Sequence, residues 1–251
     1  MHDQPGAAVR KKKDASVVVA TRLVKERKCD VVIAAGSTGA AAAAALLGLG
    51  RIEGIERATI ATPLPNLAGT TILLDSGANV DSKPKHLVQS AIMGSIYAQY
   101  IMHIKNPRVG LLNIGEEDSK GNEQALATYP LLKQLKTVHF IGNVEGRDIP
   151  KGTADVVVCD GFVGNVVLKF GEGLASAIMT LIKDAFIDGG WLARIGAALA
   201  LPALKGLKQK LDYAEYGGAP LLGVNGGFII CHGSSKAKAI KNAIRVGREF
   251  T

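Results

Sequence analysis

Short runs of consecutive apolar residues recur along the chain, and between them lie longer stretches with the period of an amphipathic helix. The runs are CDVVIAA (29–35), ATIAT (58–62), TTILLD (70–75), RVGLLNI (108–114), TVHFIG (137–142), ADVVVCD (154–160) and GFIIC (227–231). Strands that are apolar at nearly every position are covered on both faces, which implies a parallel sheet. The stretches between them predict helices at 14–27, 39–48, 84–104, 122–135, 164–187 and 235–249. This alternation predicts an α/β chain, a doubly wound α/β/α sandwich, with residues 1–251 forming one domain. The Ala run at 40–45 fits a helix that packs close to a sheet.

The alternation breaks at 188–216. Gly189-Gly190-Trp191 opens a segment with no acidic residue through Leu211, carrying Arg194, Lys205, Lys208 and Lys210. An internal proline breaks the helical ladder, so Pro202 is expected to split the segment into two short amphipathic helices, a protruding hairpin over 189–213. Leu204, Leu207 and Leu211 share one stripe, flanked by Lys205 and Lys208. Such a hairpin, with Trp191 at its start, suits a partner subunit first and an anionic lipid surface second. A merely solvated hairpin explains its Leu and Ala content poorly.

Composition agrees with a sizeable core. Of 251 residues, 47% are hydrophobic, enough for one large domain. With 5% aromatics and 30 glycines, that core is aliphatic and its loops are tight. No apolar run approaches the roughly 20 residues that span a bilayer, and no apolar region follows the charged N-terminus, so a cytoplasmic chain is expected. Cys29, Cys159 and Cys231 are far apart and read as small buried hydrophobes. The net charge of +8 favours acidic partners, anionic lipid, phosphate ligands or nucleic acid. The cluster Arg10-Lys11-Lys12-Lys13 fits a solvated basic turn or a phosphate contact as well as a nucleic-acid patch.

Candidate chemistry lies in the loops after the strands. Gly36-Ser37-Thr38-Gly39 precedes a helix, where glycines admit a ligand and free N–H groups suit an anion; an ordinary capped turn is the simpler reading. It is not a dinucleotide fingerprint, since G-x-G-x-x-G is absent. Asp75, Asn79 and Asp81 put polar groups at the carboxyl edge of the sheet, where open α/β sheets bind ligands; a metal is not expected there. The third loop runs from Asn113 through Glu116, Glu117, Asp118, Lys120 and Asn122. Its acids suit a helix N-terminus, whereas Lys120 could offset charge in a tetrahedral transition state. Asp160 and Asn165 sit at another strand-to-helix junction. His232-Gly233-Ser234-Ser235 follows the last strand as a phosphate cradle, with His232 either a general base or a structural residue. Neither a G-x-S-x-G elbow nor a Ser-His-Asp order is present, which disfavours a serine hydrolase.

Together the strings AAGSTGA, LLDSGANVD, PKHLVQSAIMGSIYA, RVGLLNIGEEDSKGNE, FIGNVEGRDI, ADVVVCDGFVGNVVLK, YGGAPLLG and HGSS resemble the acyl-carrier-protein:phosphate acyltransferases of bacterial phospholipid synthesis, the PlsX family. The resemblance runs from about Gln4 to the end. It implies transfer of a fatty acyl group from a carrier-protein thioester to inorganic phosphate, without a cofactor. It also implies a Rossmann-like fold related to phosphotransacetylases, a homodimer, and peripheral contact with the cytoplasmic membrane, which the hairpin would suit. The acidic carrier protein gives the positive charge a natural partner in place of nucleic acid. The family's early strand and its Asp-Ala-Met-Gly-Gly-Asp loop have no counterpart here. Ser37 stands where the family more often has Asn, and Ser76 where it often has Leu or Val. The alternatives are transfer from coenzyme A thioesters and a non-catalytic basic membrane scaffold.

These readings converge on one mechanism: phosphate attacks the thioester directly, held by Gly-rich loops and by Lys120, with Asn113 and His232 as further candidates. The geometric expectation is that the loops around Gly36, Lys120 and Ser234 clasp one phosphate in a shared basin.

Overall fold

The computed structural model describes residues 4–211 and 217–250, apart from the side chains of Lys208 and Leu211. Its strands form two sheets rather than the single one expected, because apolar periodicity locates strands without saying which of them pair. The first sheet has the order β1 (Val31–Ala35), β9 (Gly227–Cys231), β8 (Ala219–Leu222), β2 (Thr59–Ile60). The second has the order β3 (Thr62–Asn66), β4 (Gly69–Leu74), β7 (Val156–Val158), β5 (Arg108–Asn113), β6 (His139–Glu145). In the second sheet, β4, β7, β5 and β6 run parallel and β3 is antiparallel. The first pairs β1 with β9 in parallel and sets β8 antiparallel to both β9 and β2.

The chain passes from one sheet to the other at Ala61, between β2 and β3. There the amide of Ala61 donates to the Pro220 carbonyl, and the amide of Ser76 donates to the Ile60 carbonyl, so the sheets share hydrogen bonds at this seam. β3 was not predicted because it contains Pro63 and Pro65. It lies at an edge and pairs only with β4, a position where missing N–H donors are tolerated.

Helices cover both faces of the first sheet. Val32, Phe228 and Ile230 pack with Val24 of α2 (Ser16–Lys25) and with Ala41 and Ala45 of α3 (Thr38–Gly48). The alternate residues Ile229 and Cys231 pack with Ala243 and Val246 of α8 (Ala237–Glu249). This is the period-two alternation of a covered sheet. A short α1 (Pro5–Lys11) precedes them, with Pro5 close to Gly39. On the second sheet, Ile72, Leu74, Val109, Leu111, Val156 and Val158 face α4 (Pro84–Tyr100) and α5 (Glu123–Gln134), while Leu73, Val144 and Val157 face Val167 and Leu168 of α6 (Gly161–Asp188).

The greatest departure from expectation is after β7. Helix α6 spans Gly161–Asp188 and α7 spans Gly190–Leu211, so the hairpin is made of these two long helices and not of two halves of 189–213. α7 continues through Pro202. Its Ala, Leu and Lys turns are strong helix formers, and they outweigh the one bond that the proline removes. α6 begins three residues earlier than expected because glycines let it start hard against the strand-end loops. A Cβ at Gly161 would lie 2.2 Å from the Asn79 carbonyl oxygen, and one at Gly164 would lie 1.9 Å from that of Asp75.

The chain has no unbroken apolar run of about 20 residues, yet α6 contains an 18-residue window with a mean hydropathy of 1.3. The scattered charges Lys169, Glu172, Lys183 and Asp184 conceal this from a search for unbroken apolar runs. Cys159 and Cys231 are buried as expected, but Cys29 is exposed, because it lies before β1 rather than in it.

Candidate active site

Beside the seam between the sheets lies a cavity of about 910 Å³, in the range of pockets that enclose small-molecule ligands. Its polar end is lined by Gly36 and Thr38 at the start of α3, by Ser76 and Gly77 after β4, and by His232, Gly233, Ser234 and Ser235 before α8. Two helix N-termini therefore meet there, each with unsatisfied N–H groups and a positive dipole end. At α3 the cap is Ser37, whose hydroxyl accepts a long 3.4 Å bond from the Ala40 amide. Before α8, the Ser234 amide donates to His232 Nδ1 at 3.2 Å, and the Ser234 hydroxyl lies 2.6 Å from the same nitrogen. An amide can only donate, so Nδ1 is an acceptor, the hydroxyl donates to it, and the ring proton sits on Nε2. In this geometry His232 orients Ser234.

The other end of the cavity is apolar. One wall is the face of α6 that carries Val167, Leu168, Phe170, Leu174 and Ile178, and Pro63, Leu64 and Pro65 of β3 also line it. Lys169 and Glu172, paired at 2.8 Å, are the charged residues among its lining. Asn165, in the second turn of α6, lies between the polar and apolar ends and packs against Gly77.

Several predicted site residues turn out to hold the scaffold. Asp75 is buried, and its carboxylate accepts from the amides of Ile60, Gly77, Ala78 and Asn79 and from the Asn79 side chain, at 2.8–3.1 Å. Burial pushes its carboxyl up from the ordinary value, against the pull of the Ala78, Asn79, Ile60 and Gly77 donors. Asn79 also donates to the Ala58 carbonyl at 2.7 Å. Asp160 caps α6 by accepting from the Phe162 amide and fixes the Ser82 amide with its second oxygen. Asp81 is exposed, in a left-handed conformation with φ 59°. Asp75, Asn79 and Asp160 organise the loops from behind, and none of the four lines the large cavity.

The expected convergence of three loops holds for two of them. Gly36 and Ser234 share the large cavity; Lys120 lines neither it nor the second, smaller one. Asn113 and Asn122 line that second cavity, of about 370 Å³, with Gly121, Asp160 and Val163, so the first turn of α6 separates the two spaces. The reason is the second sheet: Lys120 follows β5, two strands away from β4, whereas the Gly36 and Ser234 loops follow the adjacent β1 and β9. Asn113 is occupied within its own loop, donating to the Lys120 carbonyl at 2.9 Å and accepting from the Ile114 amide at 2.8 Å. Asn122 caps α5 through the Ala125 amide. Lys120 itself is exposed.

On the hairpin, Trp191 and Leu207 are exposed and Leu204 is half-buried, while Leu211 lies outside the described side chains. Phe170, Leu181, Leu192 and Leu199 are each more than 60% exposed, so apolar surface extends along both α6 and α7. Glu116, Glu145 and Asp148 bring carboxylate oxygens within 4.8 Å of one another. Arg147 pairs with Glu145 and Lys151 with Asp148, which offsets two of the three charges.

The sequence reading missed Ser76, Gly77 and the apolar wall of α6. The signal for the wall was present: 161–188 is apolar around more of its circumference than one core-facing stripe requires.

The two sheets and their covering helices make an α/β fold that solved phosphotransacetylases share. A phosphotransacetylase from Streptococcus pyogenes matches with a TM-score of 0.63 at 17% identity, covering 98% of this chain and 74% of that one. The EutD phosphotransacetylase from Staphylococcus aureus matches with a TM-score of 0.62 at 15% identity, covering 93% and 67%. The chain belongs to the fatty acid synthesis protein family, whose profile matches residues 1–251. It is 65% identical over 249 residues to the phosphate acyltransferase of Heliobacterium modesticaldum and 61% identical over 249 residues to that of Pelotomaculum thermopropionicum. Each match covers 99% of this chain, which spans 74% and 72% of the two relatives.

Proposed function

We propose that this chain is a phosphate acyltransferase that moves a fatty acyl group from an acyl-carrier-protein thioester to inorganic phosphate, yielding acyl phosphate for phospholipid synthesis. One observation beyond the family carries the reading: a single cavity joins an anion-binding end, built from two helix N-termini, to an apolar wall formed by α6. Phosphate at the polar end and an alkyl chain along Val167–Ile178 place the thioester carbonyl between them, beside Asn165.

A phosphate oxygen attacks the carbonyl carbon, the C–S bond breaks, and the thiolate leaves and takes up a proton. Phosphate is already a nucleophile and thiolate a good leaving group, so the site mainly holds the reactants in line and offsets the developing charge. The N–H groups at the starts of α3 and α8 serve the phosphate, and the Ser234 oxygen, whose proton goes to His232 Nδ1, accepts from a protonated phosphate oxygen. Lys120, exposed on the β5 loop and lining neither cavity, enters this scheme only if its side chain swings across the first turn of α6. Incubation with acyl-carrier protein and phosphate, followed by hydroxylamine, should trap the acyl group as a hydroxamate; absence of hydroxamate overturns the assignment. A radiolabelled acyl-enzyme would overturn direct attack. Lys120→Ala should lower turnover sharply with the fold intact, and unchanged turnover removes Lys120 from the site.

The chain acts as one domain in the cytoplasm. The apolar surface of α6 and α7 supports a homodimer contact and peripheral attachment to the membrane that receives the product.

A further inference from the structure

We infer that the outer stripe of α8, formed by Lys238, Lys241, Arg245 and Arg248, is the docking surface for the acidic protein that delivers the acyl thioester. This rests on the proposed function and adds the place where the donor binds.

The argument begins with the two sides of α8. Ala239, Ala243, Val246 and Gly247 are buried and pack on the first sheet and its flanking residues. Lys238, Lys241, Arg245 and Arg248 are exposed and recur at three- and four-residue spacing, so they fall on one stripe opposite the buried face. Glu249, at the end of α8 and four residues after Arg245, is the one acidic residue of the helix. Four cations are thus aligned over about 15 Å of helix, the length set by a rise of 1.5 Å per residue. Ile244 is 57% exposed beside them, giving one apolar contact inside a charged rim, as protein interfaces have.

Position selects the partner. The loop that enters α8, His232 to Ser235, and Ala239 in its first turns line the large cavity. The N-terminal end of α8 therefore borders the cavity, and the stripe begins at that end on the outer side of the helix. A donor whose thioester sits on a long arm needs such a place: its body docks beside the entrance while its arm reaches the carbonyl site. Carboxylates on a helical acidic carrier would face the stripe, and charge complementarity of this kind acts mainly on association rate and specificity. A lipid surface fits less well, because the stripe offers a single exposed aliphatic side chain for insertion. The apolar surface suited to lipid lies on α6 and α7 instead.

The other basic cluster, at the end of α1, provides a matched control. Lys241→Glu/Arg245→Glu and Lys11→Glu/Lys13→Glu lower the net charge equally. Fluorescence anisotropy of labelled acyl-carrier protein, titrated with each protein, reads binding apart from chemistry. Hydroxylamine trapping is run in parallel on the wild type. The stripe variant should bind about tenfold more weakly, with the salt dependence largely lost, and the α1 variant within about twofold of wild type. Equal losses in both variants, unchanged binding in the stripe variant, or no binding by the wild type overturns the docking surface. Loss of binding to phosphatidylglycerol vesicles with carrier binding retained also overturns it and reassigns the stripe to lipid. Wild type that yields acyl phosphate while the stripe variant binds normally removes the docking surface and leaves the function standing; wild type that yields none removes the function itself. Thermal melts check folding, and Lys241→Ala/Arg245→Ala gives the same test, at smaller amplitude, if the reversed pair unfolds.

Discussion

The loops that follow β1 and β9 and those that follow β4, β5 and β7 look alike in sequence and do different work. All are short, polar and rich in Gly, Ser, Asn or Asp. After β4, β5 and β7 the side chains turn inward: Asp75, Asn113 and Asp160 spend their oxygens on backbone amides. After β1 and β9 the bracing is lighter, a 3.4 Å cap from Ser37 and the His232–Ser234 pair, and Gly36, Thr38 and the residues from His232 to Ser235 line the cavity. Side-chain chemistry alone therefore misjudges such loops. A carboxylate surrounded by amides is a structural knot, while a plain Gly-Ser turn at a helix start presents the anion site.

The sharpest way to break this contrast is to disturb the knot. Gly164→Ala would place a Cβ 1.9 Å from the Asp75 carbonyl oxygen, and no rotamer relieves a clash with backbone. It should cost about 4 kcal/mol or more, read as loss of a cooperative thermal transition at growth temperature. A well-folded Gly164→Ala protein would mean that the approach of α6 to the β4 loop does not define the fold. Asp75→Ala comes next. It leaves the amides of Ile60, Gly77, Ala78 and Asn79 without their acceptor and should cost about 3 kcal/mol in urea unfolding. Because these bonds also join the two sheets, activity should fall with stability and return when the variant is assayed well below its melting temperature.

A smaller effect separates ion pairing from capping. At the start of β5, Asp155 receives the Arg108 amide at 2.8 Å and its guanidinium at 2.9 and 3.0 Å. Burial pushes the Asp155 carboxyl up, and the bonds from Arg108 overcome it, leaving it below its ordinary value. A lowered folded value stabilises the protein above the unfolded pKa of about 3.9, and that stabilisation fades as pH falls through the folded value. Asp155→Asn should therefore cost about 1–2 kcal/mol at pH 7 and progressively less below pH 4, measured by paired urea titrations. A cost that does not change with pH would show that packing, not charge, is lost.

These cases also show what could be read in advance. β1, β5 and β9 fall within their apolar runs because a strand buried on both faces leaves a nearly continuous signature. β3 hides behind Pro63 and Pro65, and β8 is brief, so neither has that signature. The division into two sheets depends on which strands pair, which no local pattern carries. At the site, Gly36, Thr38, Asn165 and Ser234 were visible as turn residues at strand ends, and the cavity gathers them. Lys120 was placed among them because its loop has the same composition, but composition does not say which sheet a loop belongs to. The α6 wall was legible only as excess apolar surface, since a long helix with Leu and Ile at helical spacing reads first as core.

The smallest effect bears most directly on the contrast between bracing and presenting. Ser37 does some of both, since its hydroxyl caps α3 through a 3.4 Å bond while its neighbours Gly36 and Thr38 line the cavity. A cap that long contributes at the weak end of the usual range, so Ser37→Ala should cost about 0.5 kcal/mol. If the loop works through its backbone, the KM for phosphate should then stay within about twofold, because the N–H groups at the start of α3 remain in place. A severalfold rise in KM with an unchanged melting temperature would assign the hydroxyl to the ligand rather than to the helix. The first outcome keeps α3 as an anion site made of main chain. The second makes Ser37 a specificity determinant whose capping bond gives way to phosphate when the site fills.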